Sequence, residues 1–280
     1  LTAGTAIASK VVTTDASIDT TGQRNLTISG ELDAATGDFS GDVDVDGTME
    51  ADAYTLEGSA FIKVAGTNFT GSLLVGHATT GTLSTATYNT GVGLTALDAL
   101  TSGAYNTAVG AGAGTSLTTG QFNTAMGFNS MQTASSSNSN TAYGYNSLNK
   151  NTGANNTGIG ATAADSITSG ASNTGVGYGA LTAVVTTSQS TALGSQSLAL
   201  ATGTQNLGLG YQAGDNITSG SGNVIIGGVD ADSATGSRQL KIAGNDGSTT
   251  TTWISGDSSG TVSANGGQLT TTGKALVMGF

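Results

Sequence analysis

The chain has 280 residues, of which 45 are glycine, none is proline or cysteine, and only 9% are charged, against about a quarter in ordinary soluble proteins. This composition suits repetitive β-structure better than an enzyme, and the lack of cysteine excludes disulfides, thiol catalysis and thiolate metal sites. The net charge of −11 disfavours nucleic acid and anionic membranes as partners, and no apolar segment is long enough for insertion into a membrane as a helix.

The N-terminal part of the chain, up to Gly71, is acidic and carries most of the carboxylates but few of the basic side chains. Residues 1–25 are weakly patterned and are predicted to be an attachment segment. Residues 26–71 alternate polar and apolar side chains between glycines, which predicts a slender acidic β stalk. In this stalk Asp42, Asp44 and Asp46 match the opening of a calcium loop, but Ala53 stands at the twelfth position, where such loops have glutamate. Solvated acids are therefore favoured over calcium, and no cofactor is expected.

A five-residue signature recurs nine times between residues 89 and 227. The copies begin at positions 89, 106, 123, 140, 156, 173, 190, 206 and 223, and the coils from 140 and 190 are shortened in their turns. A regular period of about 17 residues predicts one small supersecondary unit stacked on copies of itself. Degenerate copies begin at Ser72 and near Gln239. The repeat domain is therefore predicted to extend over residues 72–239, followed by a C-terminal β cap over residues 240–280.

The coil pattern is counted here from the first signature residue as position 0. Position 1 is mostly threonine, position 2 alanine or glycine, position 3 an aliphatic residue and position 4 glycine. About 17 residues cannot hold two helices, but they can hold two or three short strands closed by glycine turns. The sequence thus predicts an all-β, elongated β-solenoid, or β-roll. Alternation places positions 1 and 3 on one side of the strand and positions 0 and 2 on the other, and leaves open which side faces the interior.

The predicted core of one coil is thin. Burying the position-3 residue and one further aliphatic side chain stabilises a coil by about 4 kcal/mol, whereas ordering its residues costs roughly 1.5 kcal/mol each before hydrogen bonds are counted. The alanine and glycine residues at position 2 are expected to leave a flat surface on which another chain can pack. An obligate homo-oligomer is therefore predicted.

The signature Asn106-Thr107-Ala108-Val109-Gly110 and its eight relatives resemble the head repeats of trimeric autotransporter adhesins. They are still more similar to the same repeat in tail fibres and other appendages of bacteriophages. The resemblance covers about half of the chain, and the coils are longer than is usual in adhesin heads. It implies a left-handed parallel β-roll that exists as a homotrimer, and it brings no catalytic residue.

Two sets of side chains are candidate sites. The asparagines at position 0 are expected to form a structural ladder, hydrogen-bonded from coil to coil, in preference to binding a ligand; they are Asn89, Asn106, Asn123, Asn140, Asn156, Asn173, Asn206 and Asn223. Aromatic side chains at matching positions could contact glycans, although stacking between coils or chains is the favoured interpretation. The glycan candidates are Phe128, Tyr145, Tyr178, Tyr211 and Trp253, and a second aromatic row comprises Tyr88, Tyr105 and Phe122.

The resemblance implies a structural virion fibre, a phage tail fibre or similar extracellular appendage. It would act as a rigid trimeric spacer and adhere to the host surface through a glycan or protein receptor, with its own copies and other virion proteins as partners. The alternative is a bacterial trimeric autotransporter-type surface adhesin head. A polysaccharide-depolymerising tailspike and an ice-binding solenoid, the latter suggested by the threonine row, are less favoured. No enzyme is expected, because His77 is the only histidine and the three acids between residues 89 and 227 lie far apart in the chain.

Overall fold

A computed structural model describes residues 54–56, 59–64, 68, 70–76, 82–264 and 267–269. Four features of the sequence analysis lie outside these residues: the attachment segment, most of the predicted stalk, the calcium-like sequence from Asp42 to Asp46, and His77. The end of the predicted stalk that is described contains two short strands.

The described residues form sixteen strands joined by turns. They are β1 (Tyr54–Leu56), β2 (Ser59–Val64), β3 (Leu73–Val75), β4 (Thr90–Val92), β5 (Thr107–Val109), β6 (Thr124–Met126), β7 (Thr141–Tyr143), β8 (Thr157–Ile159), β9 (Thr174–Val176), β10 (Thr191–Leu193), β11 (Leu207–Leu209), β12 (Val224–Ile226), β13 (Leu240–Asn245), β14 (Thr250–Gly256), β15 (Val262–Ala264) and β16 (Gly267–Leu269). Across these ranges there is no helix, and hence none that is long and apolar enough to cross a membrane.

The predicted all-β solenoid is confirmed, and so is the predicted coil length. Strands β3 to β13 pair in parallel with the strand one coil away and make about ten turns. The register is that of the signature, since each position-1 residue pairs with its equivalent, as Thr107 does with Thr124. Antiparallel strands extend the same sheet at both ends, β1 and β2 before β3, and β14 to β16 after β13.

The strand side that faces the interior carries the small and amide side chains. In the coil that begins at Asn106, the residues Asn106, Ala108, Ala113 and Leu117 are buried, whereas Val109 at position 3 is only half-buried on the outer side. The prediction that position 2 forms a flat surface for another chain is therefore wrong. Between the coils from Asn89 and Asn206, alanine or glycine fits there because the narrow interior already holds the asparagine side chain and the residues at positions 8 and 11. Larger residues, Leu74 and Ile225, are buried at this position only in the first and last parallel coils.

Each coil has one short strand, such as Thr124–Met126, which corrects the prediction of two or three longer strands per coil. The remainder turns through residues in the left-handed region, at positions 6, 8 and 16. In the coil from Asn123, for example, φ is 53° at Asn129 and 49° at Met131. Alternating left-handed residues bend the backbone too sharply for an extended strand, while still turning the Met131 side chain into the core.

Glycine at position 4 ends every strand of the repeat for a steric reason. Gly110 has a φ of 129°, and a Cβ placed on it would lie 2.7 Å from the carbonyl oxygen of Gly127 in the next coil. A side chain fits neither this backbone conformation nor this space. The signature glycine therefore marks a corner at which successive coils approach too closely for a side chain.

Candidate functional site

The position-0 asparagines form a buried ladder, which Ser190 interrupts between Asn173 and Asn206. Each backbone N–H at this position donates to the side-chain oxygen one coil earlier, as Asn106 does to Oδ1 of Asn89 at 2.9 Å and Asn173 does to Oδ1 of Asn156 at 2.9 Å. Each Nδ2 also donates to a backbone carbonyl of the following turn, for example from Asn106 to Gly120 at 2.8 Å. All eight side chains are at most 1% exposed. Their amides are occupied inside the coil and do not contact solvent or a ligand there.

The outer side of the parallel sheet carries two regular rows, which together are called the outer face. One row is the position-1 threonines, Thr90, Thr107, Thr124, Thr141, Thr157, Thr174 and Thr191, continued by Leu207 and Val224. The other is the position-3 residues Val92, Val109, Met126, Tyr143, Ile159, Val176, Leu193, Leu209 and Ile226. Tyr143 is 55% exposed and Leu193 46%. The outer face is thus an uncharged, partly apolar surface.

Aromatic rings stack along the coils at two further positions. The ring centroids of Tyr88 and Tyr105 lie 5.1 Å apart, and those of Tyr105 and Phe122 lie 5.0 Å apart, with nearly parallel planes. At position 5, Phe128 and Tyr145 stack at 5.8 Å. These rings remain about half exposed, so stacking between coils leaves their outer edges accessible.

The other candidate aromatics are not brought together. Tyr178 and Tyr211 occupy position 5 two coils apart, with Ser195 between them, and are 60% and 62% exposed. Trp253 lies on β14, where the pairing with β13 is irregular, and its ring covers Gly244 on β13. The five proposed glycan contacts therefore comprise one stacked pair and three separate exposed rings.

The solenoid also brings together two carboxylates that sequence reasoning missed. Asp215 and Asp230 lie on successive coils with their side chains in hydrogen-bonding contact. Partial burial, the hydrogen bond to Asp230 and the charge of Asp230 raise the pKa of Asp215 from 3.8 to about 6. The signature register aligns Asp215 with Asp232, both at position 9 of their coils, so neither the register nor the spacing of acids along the chain shows this pair. In the described ranges no three histidine, cysteine or acidic side chains form a group that could hold a metal.

No model of a protein family matches this chain. Neither a curated protein nor a solved structure is significantly similar to it.

Proposed function

We propose that the protein is a structural subunit of a trimeric virion fibre, such as a phage tail fibre, which acts as a stiff spacer and adheres to the host surface. The observation that carries the proposal is the outer face. A repeated solenoid of about ten turns with an uncharged, regular and partly apolar side is suited to pack against copies of itself along its length.

The distribution of polar groups supports a homotrimer over a lone solenoid. The asparagine ladder satisfies its hydrogen bonds within one chain, so it needs no partner. The position-3 aliphatic residues are not fully buried within one chain, since Leu193, Leu209 and Ile159 remain 46%, 40% and 39% exposed. Burying an exposed row of this kind contributes roughly 25 cal/mol per Å² of apolar surface. In a trimer whose three outer faces are turned towards a common axis, the position-3 row of each chain would be buried.

A fibre that holds three copies of a weak receptor contact gains avidity without a tight individual site. The exposed rings and the C-terminal strands β14 to β16 are the places where such contacts are proposed. A bacterial surface adhesin head of the trimeric autotransporter type would use the same outer face in the same way, and remains the alternative.

The row of seven threonines is the observation that favours a second function, ice binding. Threonines repeat along the sheet at the strand spacing of about 4.8 Å, and they lie on the outer side. Against this, the neighbouring row carries Tyr143, Met126 and Leu193, which are bulky and uneven. Thermal hysteresis of the purified chain distinguishes the two, because a fibre is expected to show none.

The proposed function is tested by native mass and by location. A trimer is expected to have three times the chain mass of 27.1 kDa in native mass spectrometry and sedimentation equilibrium. Antibodies against the chain, gold-labelled, are expected to mark an appendage on phage particles purified from a culture that encodes it. A stable monomer contradicts the trimer. Labelling of the bacterial envelope in place of particles supports the adhesin alternative.

A further inference from the structure

We infer that the cleft between the last full coil and the β13–β14 hairpin is a binding site for a neutral glycan. This inference rests on the proposed adhesion function and assigns to it a ligand class and a place. The cleft consists of two adjoining depressions of about 450 and 440 Å³ that share Gln212, Gly228 and Asn245. Both lie within the range of about 300 to 1,000 Å³ that is typical of ligand sites.

The two depressions differ in chemistry. The first is lined by the carboxylates of Asp215 and Asp230, by Lys241 and by the Thr250 hydroxyl. The second is lined by Tyr211, whose ring is 62% exposed. Acceptors, donors and one accessible aromatic face are therefore all present within one continuous surface. A sugar needs this combination, because its hydroxyls both donate and accept hydrogen bonds while its C–H faces are apolar and pack on rings.

The carboxylates are held in place by hydrogen bonds from the neighbouring residue. Nδ2 of Asn216 donates to the carbonyl of Ala231 at 2.9 Å, and N–H of Ala231 donates to Oδ1 of Asn216 at 3.0 Å. This two-bond contact fixes the segment that carries Asp230 against the coil that carries Asp215. On the hairpin, Nδ2 of Asn245 donates to Oγ1 of Thr250 at 3.1 Å. The cleft is thus preorganised on both walls.

Charge limits the ligand to glycans without acidic groups. The ammonium of Lys241 is paired with Asp232 at 2.7 Å, so it does not balance the Asp215–Asp230 pair. Sialic acid, uronic acids and sugar phosphates meet net negative charge here and are repelled. Adjacent hydroxyls of a neutral sugar can instead donate to the two carboxylates, and charge-assisted hydrogen bonds of this type are about twice as strong as neutral ones.

The test uses the full chain and named probes. Lactose, maltotriose, mannotriose and chitotriose are the neutral probes and 3′-sialyllactose is the acidic one, each measured by saturation-transfer NMR and titration calorimetry. The variants are Asp230→Asn and Tyr211→Ala. Their matched controls are Asp165→Asn and Tyr178→Ala. Asp165 occupies position 9 of its coil, as Asp215 does, but the next coil has no acid near that position, and Tyr178 has the position and exposure of Tyr211. Since Asp230→Asn removes a repulsion, it is expected to fold at least as well as the parent chain.

The expected result is millimolar or tighter binding of at least one neutral probe, weakened at least tenfold by each variant and less than twofold by either control. Binding of the acidic probe alone, binding that survives Asp230→Asn, or binding lost with Tyr178→Ala overturns the inference, as does no binding of any probe. Adhesion of the labelled chain to host cells is measured in parallel. Adhesion that Asp230→Asn leaves unchanged rejects this cleft but not the fibre, whereas no adhesion of the parent chain rejects the adhesive function itself.

Discussion

The asparagine ladder shows how one residue type can replace a large hydrophobic core. Each amide accepts the N–H of the next coil and donates to a turn carbonyl, so that buried polar groups which would otherwise be unpaired are satisfied. Replacing such an amide leaves its partners buried without a bond, at about 1 to 3 kcal/mol for each group. The ladder is therefore expected to be less tolerant of substitution than the aliphatic residues.

Ser190 is the natural break in this ladder and provides a gain-of-stability prediction. Its Oγ accepts the N–H of Asn206 at 3.3 Å, a longer bond than the 3.0 Å between N–H of Asn223 and Oδ1 of Asn206. Asn140, which opens the other shortened coil, shows that an asparagine fits this type of coil, since its Nδ2 reaches the Gly153 carbonyl at 3.0 Å. Ser190→Asn is expected to raise the free energy of unfolding by about 1 to 2 kcal/mol.

Urea denaturation followed by circular dichroism measures that change. Ser190→Ala is the control, and it is expected to lower stability because it removes the only side-chain acceptor for the Asn206 N–H. A less stable Ser190→Asn chain contradicts the view that the ladder is limited by its missing amide.

Two buried serines are expected to respond to alanine with opposite signs. The hydroxyl of Ser137 is buried and has no hydrogen-bond partner, so Ser137→Ala removes an unsatisfied group and is expected to stabilise by about 1 kcal/mol. The hydroxyl of Ser147 donates to the Gly158 carbonyl at 2.7 Å, and Ser147→Ala is expected to destabilise by a similar amount. Thermal unfolding of both variants checks the pair, and equal effects contradict the explanation.

The carboxylate pair predicts a pH dependence of stability. Because the pKa of Asp215 is raised from 3.8 to about 6, the folded state holds this proton more tightly than the unfolded state. The contribution is fully present below about pH 4 and is lost as the pH rises through 6. Asp215→Asn is neutral at every pH, so it is expected to be more stable than the parent chain at pH 7.5 by up to about 1 kcal/mol, a value limited by solvent screening, and equal to it at pH 4.

Other charged groups near the Asp215–Asp230 pair and at the hairpins also titrate, and they must be the same in the parent chain and in Asp215→Asn when the two stabilities are compared. Asp230 and Lys241 line the cleft, and Asp232 is paired with Lys241. Backbone and side-chain hydrogen bonds lower the pKa of Asp246 and Asp257, whose contribution to stability is lost as the pH falls. Both chains contain these groups, so the difference between their unfolding midpoints reports on the Asp215–Asp230 pair. A difference that grows towards pH 4 has the wrong sign and contradicts the assignment.

At the level of the coil, two glycine positions that look alike in sequence are expected to behave differently. Gly127, at position 4, has a φ of 127°, and an added Cβ would lie 2.5 Å from the Gly144 carbonyl oxygen. Gly179, at position 6, has a φ of 62°, and its nearest neighbour would be the Thr182 hydroxyl at 3.4 Å. Gly127→Ala is expected to destabilise by about 3 kcal/mol or more, and Gly179→Ala by about 1 kcal/mol. Chemical denaturation compares them directly, and similar losses contradict a special role for position 4.

The period and the signature glycine were sufficient to predict the solenoid, its coil length and its corners. Side-chain orientation was not predictable, because alternation is symmetrical between the two sides of a strand and does not show which side forms the interior. The short strand was missed because ordinary residues, such as Thr95 and Leu97, adopt left-handed φ values of 58° and 57°, and their identity gives no sign of it. The Asp215–Asp230 pair was missed because the shortened last coil places its members out of the regular register.

The outer face is the side of the solenoid whose aliphatic side chains stay partly exposed in a single chain. The asparagine ladder satisfies its hydrogen bonds within one chain, whereas the proposed trimer would bury the outer face. The ladder and the proposed contact surface lie on opposite sides of the same short strand, as the inward Ala192 and its outward neighbours Thr191 and Leu193 show. Substitutions on the outer side should therefore change association without changing the fold.

Leu193→Glu combined with Leu209→Glu tests this separation. The two leucines are paired neighbours on β10 and β11 and are 46% and 40% exposed, so both carboxylates can remain hydrated in a single chain. In a trimer that buries the outer face they would be desolvated without a partner, which costs several kcal/mol per charge. The variant is expected to have the native mass of one 27.1 kDa chain and an unchanged circular dichroism spectrum.

The matched control places the same two charges elsewhere on adjacent coils. Thr119 and Ser136 both occupy position 13 of their coils and are exposed in the turn, so Thr119→Glu with Ser136→Glu is expected to keep the mass of three chains. A trimer that survives the outer-face charges places the contact on another surface. Dissociation by both double variants indicates general charge repulsion, to which a chain of net charge −11 is prone. Dissociation by Leu193→Glu with Leu209→Glu alone assigns the interface to the outer face.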